Sequence, residues 1–305
     1  MSGTPRITVG MPVYNGAATI AAAIEAFTAQ TCGDFELIIS DNASTDGTRA
    51  VVEALAARDD RIHYVAQATN IGANLNYSHV ARLARGEFLK WASASDWCAP
   101  TFIERCLTAL TKDPDAVLAV PRTRLFEFDP ANARDYPDDI QILDATPARR
   151  LIHLLQVLRL NNAFNGLIRV AALRRTRLVQ PYHQADAVLM GHLALLGKFL
   201  LVDEPLFYRR MEPGTSTALQ DEDAVQRHHY PQATARTLLQ GWKRHAGWFH
   251  TAFTAALPAG ERAQVLRYLV RQLYWDRQVL VGDLGGVWRY AIRRAAEGKR
   301  PQAVP

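Results

Sequence analysis

Through its first 120 or so residues the chain alternates short apolar, β-branched runs with longer stretches whose apolar positions recur every three to four residues. A continuous apolar run suits a strand buried on both faces, and the three-to-four spacing gives a helix one apolar face. Strands are predicted near residues 6–11, 35–40, 61–66, 86–91 and 116–121. Helices are predicted near 17–29, 47–58, 74–85 and 101–112, the last entered through Pro100. Such alternation predicts an α/β fold, a mostly parallel sheet covered by helices.

From Arg122 to Thr146 the pattern gives way to Pro, Asp and Asn around Phe126, Phe128 and Tyr136. A polar stretch of that length is expected to be a lid rather than a plain connection. Helical spacing resumes over Pro147–Leu160 and Asp186–Leu196, and Lys198–Val202 reads as a strand. After Asp221 the pattern is helical throughout, with Trp242, Trp248, Trp275 and Trp288 spread along it. The chain is therefore expected to divide into a catalytic domain, 1–217, and a helical C-terminal extension, 218–305.

Composition changes this picture in three ways. With 305 residues, 49% hydrophobic and 21% charged, the chain can bury a substantial core. No run of 18 apolar residues occurs, the start lacks a signal-peptide pattern, and Cys32, Cys98 and Cys106 have no metal-ligand spacing. A cytoplasmic, reducing location is expected. The net charge of +5 is concentrated late: 13 of the 35 basic residues but only 7 of the 30 acidic ones follow Gln220. There Arg262, Arg267, Arg271 and Arg277 interleave with Leu266, Leu269, Val270, Leu273, Trp275 and Leu280, at a spacing that gives one apolar and one basic face. Packing on the catalytic domain or on a second subunit is the plain expectation. Peripheral contact with the anionic inner face of a membrane is the sharper one. No nucleic-acid partner is expected.

The candidate chemistry lies at the ends of the predicted strands. Met11-Pro12-Val13-Tyr14-Asn15-Gly16 closes the first, and Ser40-Asp41-Asn42-Ala43-Ser44-Thr45-Asp46-Gly47 closes the second. Ligands of open α/β sheets bind at the carboxyl ends of the strands. Tyr14 can stack on a base, Asp41 can accept from a ring N–H, and Asp46 can reach the nucleoside sugar, although Asn15 and Asp46 would serve equally as helix caps. Neither cluster is a Gly-x-Gly-x-x-Gly or Gly-x-x-x-x-Gly-Lys loop, which disfavours a dehydrogenase or P-loop reading. A third strand runs into Ala92-Ser93-Ala94-Ser95-Asp96-Trp97, delivering one carboxylate to its end. A divalent ion that bridges a diphosphate needs only one or two protein carboxylates.

The order of these segments resembles the family 2 inverting glycosyltransferases. Besides the clusters above, the resemblance rests on Asn70-Ile71-Gly72 with Asn76, Ala84-Arg85-Gly86-Glu87-Phe88, and Ser95-Asp96-Trp97 with Pro100. It continues in Gly166-Leu167-Ile168-Arg169, Ala185-Asp186-Ala187-Val188-Leu189, Leu193 to Phe199 and Glu204 to Arg210, covering about residues 5–217. It implies the GT-A fold, a Rossmann-like sheet, and a nucleoside diphosphate sugar as donor, UDP-linked as first choice. A saccharide or lipid-linked acceptor and a Mn or Mg ion are implied with it. By the same resemblance Pro12, Tyr14, Asn15, Asp41, Asp46, Asn70, Asn76 and Ser95 would line the nucleotide, Asp96 would hold the metal, Arg209 and Arg210 the diphosphate, and Asp186 would be the general base. Two departures stand out. The family's Asp-rich triplet is reduced to Ala94-Ser95-Asp96, and Met211-Glu212-Pro213 stands where a His often precedes a Pro. A nucleotidyltransferase and a catalytically dead nucleotide-binding module are the competing readings; the chain lacks the basic residue the first would carry beside Tyr14-Asn15-Gly16.

Overall fold

The computed structural model describes residues 3–211 and 239–297. Its first half follows the alternation of the sequence: Ile7–Val13 (β1), Ile20–Thr28 (α1), Phe35–Asp41 (β2), Thr48–Ala56 (α2), Ile62–Ala66 (β3), Ala73–Leu83 (α3), Phe88–Trp91 (β4), Trp97–Cys98 (β5), Phe102–Lys112 (α4) and Ala116–Phe126 (β6). Then come Arg134–Asp135 (β7), Pro147–Val157 (α5), Leu167–Arg169 (β8), Val170–Leu173 (α6), Ala185–Leu196 (α7) and Lys198–Arg210 (β9). Gln240–Thr254 (α8), Ala259–Trp275 (α9) and Arg277–Glu297 (α10) complete the described chain. Glu212, the candidate replacement for the family's His, lies outside the described residues, as does much of the early part of the extension.

The strands form one sheet in the order β3-β2-β1-β4-β8-β6-β9-β5, with β7 paired to β6. Strands β1 to β4 are parallel to one another, β6 and β9 run parallel, and β8 and β5 are antiparallel insertions. The result is a mixed, largely parallel sheet covered by helices, the α/β class expected from the sequence.

Each face buries its own core. On one, Ile7, Val9, Met11 and Val13 of β1 meet Ile24 and Phe27 of α1 and Phe102, Ile103 and Leu110 of α4. On the other, Leu89 and Trp91 of β4 and Leu118 and Val120 of β6 meet Val80 of α3 and Leu189, Met190 and Leu193 of α7. Gly10 permits the second packing, since a Cβ there would overlap the Val80 side chain. A third cluster joins Ala148 and Leu151 of α5 and Val188 and Leu195 of α7 to Trp248 of α8 and Val265 and Leu269 of α9. Trp248 seats against Gly191, where any side chain would collide with the indole. The C-terminal helices thus share a core with the sheet domain.

The stretch expected to be a lid is an anchored hairpin instead. Strand β6 continues through Phe126 and returns as β7, and Ile142 bridges to Phe199. Phe126, Tyr136, Ile140 and Ile142 are all buried. These apolar residues, dispersed among prolines and aspartates, fasten the segment to the sheet. Strand β9 likewise outruns its expected end at Val202, and its pairing with β6 continues to Arg210.

Candidate active site

The carboxyl ends of β1, β2 and β4 open at the same edge of the sheet, and β9 and the start of α7 approach from the other side. Beyond β1, Tyr14 stands 50% exposed, a ring available for stacking, while Pro12 within the strand is half-buried. The next residue, Asn15, has a left-handed backbone, φ 52°, which asparagine tolerates better than most residues. It ties two loops together: its amide N–H donates to Ser44 Oγ at 2.8 Å, and its Oδ1 accepts from Thr45 N at 2.8 Å.

Asp41 is buried at the end of β2, where Oδ1 accepts from Ser44 N at 2.8 Å and Oδ2 from the Tyr64 hydroxyl at 2.6 Å. Asp46 accepts from Thr48 N at 3.0 Å, from the Thr48 hydroxyl and from Ala17 N at 3.1 Å. Burial raises its pKa, but the Thr48 and Ala17 donors outweigh that and hold the carboxyl below the ordinary range. It therefore joins the loop before α1 to the first residue of α2, while neither helix carries a side-chain bond from its own N-cap residue. Asn70 Oδ1 accepts from Asn42 Nδ2 at 2.7 Å and from Gly72 N at 2.9 Å, fixing the loop that borders the opening. Asn76 requires a correction. It is 1% exposed and both ends of its amide are taken by Ser40, at 2.6 Å to the hydroxyl and 2.8 Å to the carbonyl, so it is a strut between α3 and β2 rather than a nucleotide contact.

Asp96 sits half-buried in the loop between β4 and β5, with Oδ1 accepting from Arg210 N at 2.9 Å. Ser95 pairs its hydroxyl with Ser93 at 3.0 Å and gives its carbonyl to Arg210 Nε at 3.2 Å. Burial pushes the Asp96 carboxyl above the usual range, offset in part by the Arg210 amide and by the charges of Arg209, Lys90 and Arg210. Lys90 is 1% exposed; its Nζ donates to the carbonyls of Trp91 and Asn165 at 3.0 Å and lies 4.5 Å from the Phe102 ring centre. Among the described residues no three His, Cys, Asp or Glu side chains gather into a metal site. A single carboxylate suits a divalent ion that arrives on a diphosphate and takes most of its ligands from phosphate and water.

Helix α7 begins at Gln184, whose φ is 60°, and no side chain caps it. Asp186 follows in the first turn and turns away from the helix: Oδ2 accepts from Asn161 Nδ2 at 2.8 Å. Its charge in the first turn also favours the helix dipole. The adjacent Asn162 accepts from Arg209 Nη1 through Oδ1 at 2.7 Å. One asparagine pair thus orients both Asp186 and Arg209. Beneath them Tyr77 packs edge-on against Trp91 and Phe164, which stack at 4.5 Å. Burial, and then Asp96 and Asp186, hold the Tyr77 phenol well above its usual range against the pull of Arg209. The structure therefore ties Asp186 and Arg209 to two adjacent asparagines, and Asp96 to the backbone of the same strand as Arg209 through the Arg210 amide.

Tyr64, Asn161 and Asn162, which hydrogen-bond to Asp41, Asp186 and Arg209, are not among the candidates named from the sequence. The Asn doublet within an otherwise apolar stretch was the one visible signal. Of the carboxylates between β6 and α5, Asp139 accepts from the Thr123 hydroxyl at 2.7 Å and Asp135 pairs across the hairpin with Arg124.

The chain is similar to EpsE of Bacillus subtilis, described as a putative glycosyltransferase, at 32% identity over 37% of this chain and 41% of that protein. It is similar to an Escherichia coli chondroitin synthase at 29% identity over 36% of this chain and 16% of that protein. It thus spans less than half the length of these relatives. In fold it resembles S. aureus TarS 1–349 in complex with UDP, with TM-score 0.63 and 16% identity over 88% of this chain and 72% of that one. The mannosyltransferase PcManGT from Pyrobaculum calidifontis, in complex with GDP-Man and Mn2+, gives TM-score 0.55 and 16% identity over 97% and 80%. The model of glycosyl transferase family 2 matches residues 8–179, more than half of the chain, and the protein belongs to that family.

Proposed function

We propose that this protein is an inverting glycosyltransferase of bacterial polysaccharide or glycoconjugate synthesis that moves a sugar from a nucleoside diphosphate, UDP by first choice, to an acceptor hydroxyl. The acceptor is a saccharide or a lipid-linked acceptor, the location cytoplasmic, and the division of labour a catalytic domain of residues 1–217 carrying a helical extension, 218–305. The observation that carries this reading is the hydrogen-bonded set that holds Asp186 on Asn161, Arg209 on the adjacent Asn162, and Asp96 on the Arg210 amide.

In this reading Tyr14 stacks on the base, and Asp41, with Pro12, Asn15, Asp46, Asn70 and Ser95, shapes the nucleotide's bed. Asp186 takes the proton of the acceptor hydroxyl, whose oxygen attacks the anomeric carbon as the bond to the diphosphate breaks. The bonding pair leaves with the diphosphate, and attack from the opposite face inverts the centre. Arg209 and Arg210 neutralise the charge that develops on the leaving group. A Mn or Mg ion would be held by Asp96 together with the diphosphate, adding Lewis-acid stabilisation of the same charge.

The test is to incubate the purified protein with UDP-, dTDP- and GDP-sugars, with and without Mn2+, and to measure melting temperature and release of nucleoside diphosphate. Stabilisation with slow release supports the transferase. Stabilisation with no release under any acceptor would favour a binding module, and release of pyrophosphate from a nucleoside triphosphate and sugar phosphate would favour a nucleotidyltransferase.

A further inference from the structure

We propose that the outer face of α9 and α10 docks on an anionic lipid surface. The observation is independent of the transferase reading. Helix α9 turns Val265, Tyr268 and Leu269 into the protein and leaves Val270, Tyr274 and Trp275 exposed. Helix α10 buries Leu280 and exposes Val281, Leu284, Trp288 and Ile292, spaced by three, four and four residues. That spacing makes one continuous apolar stripe. The helix is 21 residues long, about 31 Å at 1.5 Å per residue.

Charge decides what covers this stripe. The described acidic side chains of the two helices are all engaged by the protein: Glu261 accepts from Ala148 N at 3.0 Å, Asp276 from Arg244 at 2.7 Å and pairs with His245, and Asp283 accepts from Gly241 N at 2.7 Å. The exposed charges among the described side chains are Arg267, Arg271 and Arg277. Two of them lie on exposed rings, Arg271 4.9 Å from the Trp275 centre and Arg277 4.4 Å from that of Tyr274. The sequence continues in the same sense, with Arg289, Arg293, Arg294, Lys299 and Arg300 against Glu297 alone. A symmetric contact between two copies would set one net positive face against another. An anionic headgroup layer accepts the arginines while the apolar residues enter the acyl boundary, the division of labour of an interfacial helix.

The test is flotation of the full chain with vesicles of phosphatidylcholine alone and of phosphatidylcholine mixed with phosphatidylglycerol, with sedimentation equilibrium in parallel. The expected result is partition onto the mixed vesicles only, released by salt. Arg271→Gln with Arg277→Gln should weaken partition about 25-fold, five-fold per arginine. Leu284→Glu with Trp288→Glu should weaken it by at least about tenfold. All four positions are exposed, so circular dichroism of both variants should match the parent. Equal partition onto neutral vesicles, partition unchanged in either double variant, or no partition at all would overturn the proposal. A dimer that Leu284→Glu with Trp288→Glu dissolves, without vesicle binding, would assign the face to a second copy instead.

Discussion

Replacing Asp186 by Asn tests the proposed chemistry with little disturbance of the fold. Asn keeps an oxygen for the 2.8 Å bond from Asn161 Nδ2 and loses the negative charge, and with it the ability to take a proton. A positioned general base contributes about 10² to 10⁴ in rate, so transfer should fall by that factor, or about 2.7–5.4 kcal/mol in the barrier. The structural effect is much smaller. Asp186 caps no backbone N–H in α7, and a first-turn carboxylate contributes only about 0.3–1 kcal/mol through the helix dipole. In a chain of this size that shifts the melting temperature by no more than about 4 °C. The assay is nucleoside diphosphate release with a competent acceptor, or slow donor hydrolysis, beside calorimetric titration with the nucleoside diphosphate and a thermal melt. Nucleotide affinity should be unchanged. Transfer within about threefold of the parent would refute the base assignment. Suspicion would then pass to Asp138, because Asp135 and Asp139 already have partners in Arg124 and Thr123.

Three further outcomes follow from the same geometry. Asn161→Ala removes the donor that aims Asp186, so turnover should drop about ten- to hundredfold while the nucleotide Kd holds; a change in Kd with turnover intact would mean that Asn161 serves the nucleotide instead. Asp96→Asn keeps an acceptor for the Arg210 amide but loses its charge, so any gain in nucleotide affinity on adding Mn2+ should vanish; calorimetry showing an undiminished gain would remove Asp96 from the cation. His192 is buried, and its burial, with His250 and Arg175 nearby, lowers its pKa to about 4. The unfolded chain therefore takes up a proton that the folded one refuses as pH falls from about 6.5 to 4, and up to about 3 kcal/mol of stability is lost across that window and none above it. Urea midpoints of His192→Gln should lack this part of the acid slope; an identical slope would mean that other groups cause it.

The parallel half of the fold was legible because its strands are apolar runs buried on both faces, as in Phe35–Asp41, where every residue is buried. Past Pro121 that signal stops while the strand does not. Arg122, Thr123, Arg124 and Leu125 alternate in exposure and keep their pairing with β9 across two register irregularities. Charges at Asp203 and Glu204 and the ring of Pro205 hid the partner strand in the same way. Both strands sit where the sheet meets the site, so their outer positions carry charge instead of apolar bulk.

The site divides along a similar line. Tyr14 and Asp41 could be picked out because they stand at the ends of strands, which the sequence marks, whereas Asp96, in a loop, and Asp186, at a helix start, were given their roles through the family resemblance. Asn76 was assigned through the resemblance alone, and its burial against Ser40 shows only in the fold. Asn161 and Asn162 were passed over because their partners, Asp186 and Arg209, lie 25 and 47 residues away, a separation that no helical or strand period encodes. A residue that only aims another has no local signature, since its chemistry lies in where the fold brings its partner. The Asn161 variant therefore tests more than one hydrogen bond. Were its turnover normal, the asparagine pair would only pack the short turn Asn162–Asn165 against α7, and Asp186 would owe its aim to α7 alone.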